Sequence, residues 1–163
     1  MYAIEIRNLT KRYGRKTALD KLSLVVTPGA ALGLIGPIGA GKTTLLRILA
    51  TALKPNSGDV FIDGLAIAQH PQQIRQIVGY MPSTLGGGAD MTAQEYLTFY
   101  AACYAVPEND RANLSADLLQ LVDLSPRRNE AVDKLSPGMR KRLELARTLV
   151  HDPAIMLLDE PFT

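Results

Sequence analysis

Cysteine, excess charge and long apolar runs are all scarce in this sequence, and each scarcity excludes something. Cys103 is the only cysteine, so no internal disulfide can form and a reducing compartment is the expected setting. Lys and Arg number 18 against 16 Asp and Glu, a net charge of +2, and no basic run is longer than Arg140-Lys141-Arg142. No electrostatic footprint for nucleic acid is present, and no nucleic-acid partner is expected. No apolar run approaches the roughly 18 residues needed to cross a bilayer. Met1–Arg7 alternates charged and apolar residues and lacks the apolar centre of a signal peptide. Any membrane role is therefore expected to come through a partner. What is abundant is ordinary globular material: 47% hydrophobic and 21% charged residues over 163 positions, enough for one domain with a real core.

The most informative stretch is Gly36-Pro37-Ile38-Gly39-Ala40-Gly41-Lys42-Thr43, which fits the phosphate-loop pattern G-x-x-x-x-G-K-[ST] at every fixed position. Glycines let backbone N–H groups turn inward around phosphate oxygens, and a following helix aims its positive end at the same anion. In such a loop Lys42 reaches the β- and γ-phosphates, the Thr43 hydroxyl ligates Mg²⁺, and Thr44 follows at the helix start. The flanks agree with that reading. Ala31–Ile35 is expected as a buried strand before the loop, and Leu45–Ala50 as a helix after it. The nucleotide implied is a triphosphate with Mg²⁺.

Elsewhere the periodicities alternate between strand and helix. Ile4, Ile6 and Leu9 begin a strand, with Leu22–Val26 its companion across a turn at Tyr13–Lys16. Asp59–Asp63 is a further short strand, Gln73–Gln76 a short helix, and Ile77–Met81 a buried strand. Gly86–Gly88 is the most flexible point in the sequence. Thr92 and Glu95 form a capping box, and Ala93, Tyr96, Leu97, Tyr100, Ala101 and Tyr104 then line one helical face. Cys103 on that helix is expected as a small buried apolar residue. Asp110 is expected to cap the next helix, with Leu114, Leu118 and Val122 inward. Ser136-Pro137 is a strong helix start, Met139, Leu143, Ala146 and Val150 its buried stripe, and Ala154–Leu158 a continuous apolar strand. The pattern predicts an α/β fold: a phosphate-loop NTPase with a mostly parallel sheet, an antiparallel β region at the N-terminus and an inserted helical subdomain. Residues 1–84 and 152–163 are expected to form the nucleotide-binding core, and residues 85–151 the helical subdomain.

Asp159 and Glu160 end the last apolar strand. In open α/β sheets the ligand lies at the carboxyl ends of strands, so one carboxylate can place Mg²⁺ and the other can orient or deprotonate water. Leu135-Ser136-Pro137-Gly138-Met139 and the following Arg140–Arg147, with Leu158-Asp159-Glu160-Pro161 at the family's spacing, resemble the signature segment and catalytic strand of ATP-binding-cassette (ABC) ATPases. Asn8–Gly14 resembles the family's opening strand, and the similarity covers essentially the whole chain.

The resemblance implies an ATP-binding subunit of an ABC transporter, with Mg²⁺-dependent hydrolysis of ATP. Tyr13 would stack on adenine, and Gly36, Pro37, Ile38, Gly39, Ala40, Gly41, Lys42, Thr43 and Thr44 would hold the phosphates. Thr43 and Asp159 would place the metal, with Lys42 and Glu160 as the catalytic pair. Ser136 and Gly138 would contact the γ-phosphate held by a second cassette, the same chain or a different one. The other implied partners are membrane-spanning subunits, gripped by the inserted helices on the cytoplasmic face. A non-transport ABC ATPase and a remnant that only binds nucleotide or a partner are the alternatives.

The sequence departs from the family pattern at several positions. Pro137 and Met139 replace the usual Gly and Gln, and Ile38 stands where a polar residue is common. Ser83 stands where a glutamine usually reaches the metal and water; serine is two carbons shorter, which puts a direct Mg²⁺ contact at Ser83 in question. Tyr80–Ser83 resembles exporter-type cassettes. After the Asp-Glu strand the family continues with an interface loop and a histidine that contacts the γ-phosphate. Neither His70 nor His151 takes that place, and each is expected at the surface. Residues 1–163 alone are therefore expected to be incompetent for turnover.

Overall fold

The computed structural model describes residues 1–84, 86–88 and 90–161. The chain divides into two compact units, Met1–Val78 and Gly79–Thr163.

In the N-terminal unit, β1 (Ile4–Tyr13) and β2 (Lys16–Val26) form a long antiparallel hairpin. The other edge of β1 pairs with β3 (Ser57–Ile62), which pairs with β4 (Leu65–Ala66), for the order β2-β1-β3-β4. Alternation along β1 buries Ile4 and Ile6 and turns Glu5 and Arg7 outward, where the two form an ion pair of 2.8 Å. Helix α1 (Lys42–Leu49) buries Leu45, Leu46, Ile48 and Leu49. Val60, Ile62 and Leu9 are also buried in this unit, each such side chain contributing about 1.5–3 kcal/mol on burial. Helix α2 (Pro71–Ile77) opens with proline at its first position and buries Ile74.

One expected element is missing. Residues 31–35 are irregular, and Ile35 is fully exposed at 99% with Leu32 at 53%. Ala31 and Gly33 make that stretch a weak strand former by itself, and a strand is stabilised by the neighbours that satisfy its backbone. Among the described residues no strand pairs with it.

The C-terminal unit is mainly helical. Helices α3 (Ala93–Cys103), α4 (Glu108–Leu121) and α5 (Pro137–Leu149) pack on one another. Their shared core includes Tyr96, Leu97, Leu119, Leu124, Leu135 and Leu143. Strand β5 (Val78–Met81) pairs with β6 (Ile155–Leu158) in a second, parallel sheet. The expected α/β fold, with its antiparallel N-terminal sheet and its helical region, is thus the fold observed.

The capping box at α3 is present in full: Thr92 Oγ1 accepts from the Glu95 N–H, and the Thr92 N–H donates to Glu95 Oε2 at 2.8 Å. Three local expectations are corrected. Asp110 does not cap α4; the helix starts earlier, after Pro107, and Asp110 lies in its first turn, where a carboxylate still favours the helix dipole. Cys103 is exposed, because it stands about 200° around the helix from buried Ala101. His70 and His151 are partly buried rather than at the surface: His70 precedes α2, and the His151 ring stacks on Tyr104 at 3.9 Å.

Candidate nucleotide site

In the N-terminal unit the phosphate loop is shaped by Gly41, the N-cap of α1. Its φ of 94° lies in the left-handed region, and a Cβ there would stand 2.5 Å from the Ala18 carbonyl oxygen. Backbone conformation and close approach both demand glycine. The Ala40 N–H closes the loop onto the Pro37 carbonyl at 3.1 Å, and α1 begins with the Leu45 N–H donating to the Gly41 carbonyl at 2.9 Å. No side chain caps α1 and no acidic residue stands in its first turn, so the positive end of the helix is left for an anion.

Lys42 folds back into this loop. Its ammonium donates to the carbonyls of Gly36 at 2.6 Å and Pro37 at 3.0 Å. A cation held on carbonyl dipoles is one that phosphate oxygens can draw away, since a charged acceptor makes the stronger bond. Gly36, Pro37, Ile38, Gly39 and Ala40 are all exposed, as is Thr43, while Thr44 is half-buried. Ile38 contributes backbone alone, its side chain lying fully in solvent.

The β1–β2 hairpin carries Tyr13 and Lys16. Tyr13 ends β1 half-exposed, with the Lys11 ammonium 5.3 Å from its ring centroid and Lys16 as its register partner. The Lys16 ammonium lies 3.8 Å from the position a Cβ would take on Gly39, so a second cation stands beside the loop. Sequence reading passed over Lys16 because nothing in its spacing marks it; only strand pairing carries it there.

In the C-terminal unit, Asp159 is buried at 3% exposure and its N–H donates to the Met81 carbonyl at 2.9 Å, setting the end of β6 beside the end of β5. Glu160 is exposed and takes a left-handed φ of 51°, a conformation that costs a non-glycine residue about 1–3 kcal/mol. Lys141, on α5, donates to the Glu160 carbonyl at 3.0 Å and to the Ser83 carbonyl at 2.7 Å. Ser83, Asp159 and Glu160 are therefore gathered at one sheet end, and Lys141 is a contributor the motif reading did not single out.

The same helix opens with Ser136, whose Oγ accepts the Met139 N–H at 3.2 Å. Pro137 takes the first helical position, where its missing N–H costs nothing. Ser136 and Gly138 are exposed, and nothing lies within 4 Å of a Cβ built on Gly138. Deeper along α5, Glu144 is 2% exposed and is satisfied by the Tyr96 hydroxyl at 3.0 Å and by Arg147 at 2.6 Å. Arg147 also donates to the Tyr80 carbonyl at 2.8 Å. Burial opposes the charge on Arg147, but Glu144 more than offsets it, and the guanidinium is held above its ordinary pKa. Burial, then the Glu144 carboxylate, pushes the Tyr96 phenol well up, so it remains a donor.

Comparison with known proteins places these observations in a family. The chain is 38% identical over 160 residues to a Nod factor export ATP-binding protein I of Burkholderia orbicola (strain AU 1054), covering 98% of this chain and 53% of that protein. It is 37% identical over 163 residues to a daunorubicin resistance ATP-binding protein of Streptomyces coeruleorubidus, covering 99% of this chain and 50% of that protein. The chain thus spans about half the length of the curated relatives it matches. A solved ATP-binding subunit of an ABC transporter superposes with a TM-score of 0.86 at 27% identity, over 98% of this chain and 67% of that one. A dimeric, post-hydrolysis ATP-binding cassette bound to ADP and Pi superposes with a TM-score of 0.88 at 26% identity, over 98% of this chain and 74% of that one. The family model described as ABC transporter matches residues 19–163, nearly the whole sequence, and the chain belongs to the ABC transporter family.

Proposed function

We propose that this chain binds ATP with Mg²⁺ and that its hydrolysis drives export through membrane-spanning subunits. The observation that carries the reading is the geometry at Gly41 and Lys42: a left-handed glycine packed on the Ala18 carbonyl, followed by a lysine already folded into the loop. The donor chemistry suits the metal. Thr43 offers a hydroxyl and Asp159 a carboxylate, both hard oxygen ligands, and among the described residues no group of three or more His, Cys, Asp or Glu forms a metal cage. Mg²⁺ is commonly held by one or two protein oxygens together with substrate phosphates, and there it would neutralise charge on the β- and γ-phosphates.

In the proposed reaction water attacks the γ-phosphorus, the bond to the bridging β-γ oxygen breaks, and ADP leaves. Glu160 orients the water and takes its proton. Lys42 stabilises the charge that builds on the transferring group, and Tyr13 stacks on the adenine. Ser136 and Gly138, exposed at the start of α5, serve the γ-phosphate bound by a second cassette. Dimerisation is supported by the dimeric solved relative, and export by the printed name of the Nod factor export ATP-binding protein. Among the described residues no helix is long and apolar enough to cross a membrane, and in this reading partner subunits supply the membrane path.

The test is a pair of variants in the protein assembled with a second cassette and its membrane partners, since residues 1–163 alone are expected not to turn ATP over. Lys42→Ala should weaken ATP binding and abolish hydrolysis, whereas Glu160→Gln should retain binding and lower kcat by about 10²–10⁴-fold. A Glu160→Gln variant that hydrolyses ATP at the parent rate would overturn the assignment.

A further inference from the structure

We propose that Lys141 is a positioning residue for hydrolysis, holding the backbone of Glu160 and of Ser83 in the arrangement from which Glu160 meets its water. The inference rests on the role of Glu160 proposed above. Its basis is how α5 lies along β5. A Cβ on Gly79 would stand 2.8 Å from the Thr148 carbonyl oxygen and 2.8 Å from its Cγ2, so the helix touches the strand backbone there. One step on, Arg147 donates to the Tyr80 carbonyl at 2.8 Å, and farther on Lys141 donates to the Ser83 carbonyl at 2.7 Å. The spacings match: from Lys141 to Arg147 a helix rises about 9 Å, and from Tyr80 to Ser83 extended chain covers about 10 Å. Helix and strand run alongside in opposite directions, and each cation finds a carbonyl.

Lys141 differs from its neighbours in what it reaches. Arg140 donates to the Leu135 carbonyl at 3.0 Å and Arg142 to the Val122 carbonyl at 3.2 Å, both in the helical region. Lys141 also donates to the Glu160 carbonyl at 3.0 Å. A single ammonium with three donors thereby joins the chain after β5 to the chain after β6. Glu160 needs such a hold. Its φ is 51°, and Pro161 follows without an N–H to anchor the turn. Orienting the Glu160 carbonyl orients the peptide plane after it, and so the direction in which the carboxylate leaves the backbone.

The experiment compares wild type, Lys141→Met, Lys141→Arg and Glu160→Gln in the full chain assembled with its membrane partners, measuring kcat and KM for ATP and the affinity for a fluorescent ATP analogue. Lys141→Met should lower kcat about 10–100-fold, the scale of a misplacement of about 1 Å, with KM and analogue affinity within about threefold. Lys141→Arg, which keeps the charge and the donors, should recover much of the loss. A Lys141→Met variant with kcat within about twofold of wild type overturns the proposal, as does a loss shared equally by kcat and affinity that arginine does not restore. Should Lys141→Met fail to fold, the order Lys, Arg, Gln at position 141 takes its place: kcat falling at constant KM supports the proposal, and equal kcat overturns it. Undiminished hydrolysis by Glu160→Gln instead removes the reading on which the inference stands, an outcome separate from the behaviour of the Lys141 variants.

Discussion

The phosphate loop and the Asp159–Glu160 turn are held in opposite ways. The loop is anchored where Gly41 meets the Ala18 carbonyl and is exposed from Gly36 to Ala40, with its own lysine resting on its own carbonyls. The turn is held from outside, by an ammonium on α5 that also grips the chain after β5. An anion cradle gains from contacts that a ligand can replace, because exchanging carbonyl for phosphate around Lys42 strengthens the bond. In the proposed reaction the Glu160 carboxylate would meet one water, and it gains from being placed beforehand. The difference extends into the packing. The C-terminal unit also holds a buried polar network of Tyr96, Glu144 and Arg147, while the chain before the loop leaves Leu32 and Ile35 in solvent.

The largest expected effect comes from breaking the held side. Arg147→Met strips the partner from a Glu144 that is 2% exposed and removes the donor to the Tyr80 carbonyl. Urea unfolding should show a loss of about 3–5 kcal/mol, the scale for a buried ion pair missing one member. A double variant, Glu144→Gln with Arg147→Met, should lose less, since no buried charge is then stranded. A loss below 1 kcal/mol for the single variant would mean that the network does not stabilise the α5–β5 contact.

The open side should respond at one point only. Gly41→Ala forces a Cβ against the Ala18 carbonyl at a φ of 94°, and should cost about 1–3 kcal/mol together with a marked loss of ATP affinity. Ile38→Ser, two residues before Ala40 and fully exposed, should change stability by less than about 0.5 kcal/mol and leave affinity unaltered. Equal effects from the two substitutions would contradict a loop anchored at Gly41 alone.

The smallest effect sharpens the comparison from the helical side, since α3 carries the Tyr96 that satisfies Glu144. Thr92→Ala should cost about 1 kcal/mol at pH 7, the usual value of an N-cap. Hydrogen bonds from the Thr92 backbone, then from its side chain, hold Glu95 below its ordinary pKa. A depressed carboxylate stabilises the fold above its unfolded pKa, near 4.3, and that contribution is lost as pH falls through the folded value. The gap between wild type and Glu95→Gln in thermal unfolding should therefore close on acidification below about pH 4. A gap that does not change with pH would show that the charge on Glu95 has no part in the cap.

By itself the sequence determined what is local. The phosphate loop, the capping box at Thr92 and the helix start at Ser136-Pro137 were legible because each depends on a few adjacent residues with fixed backbone demands. The apolar stripe of α3 was legible because burial follows the 3.6-residue period, and Cys103, read as buried, fell off that stripe by half a turn. Tertiary structure decided what depends on partners. Residues 31–35 have a strand's apolarity but no strand beside them among the described residues, and strand formation requires a neighbour's hydrogen bonds. Lys16 and Lys141 carry no mark in the sequence, because a long flexible cation takes its role from whichever carbonyls or loops the fold brings within its reach.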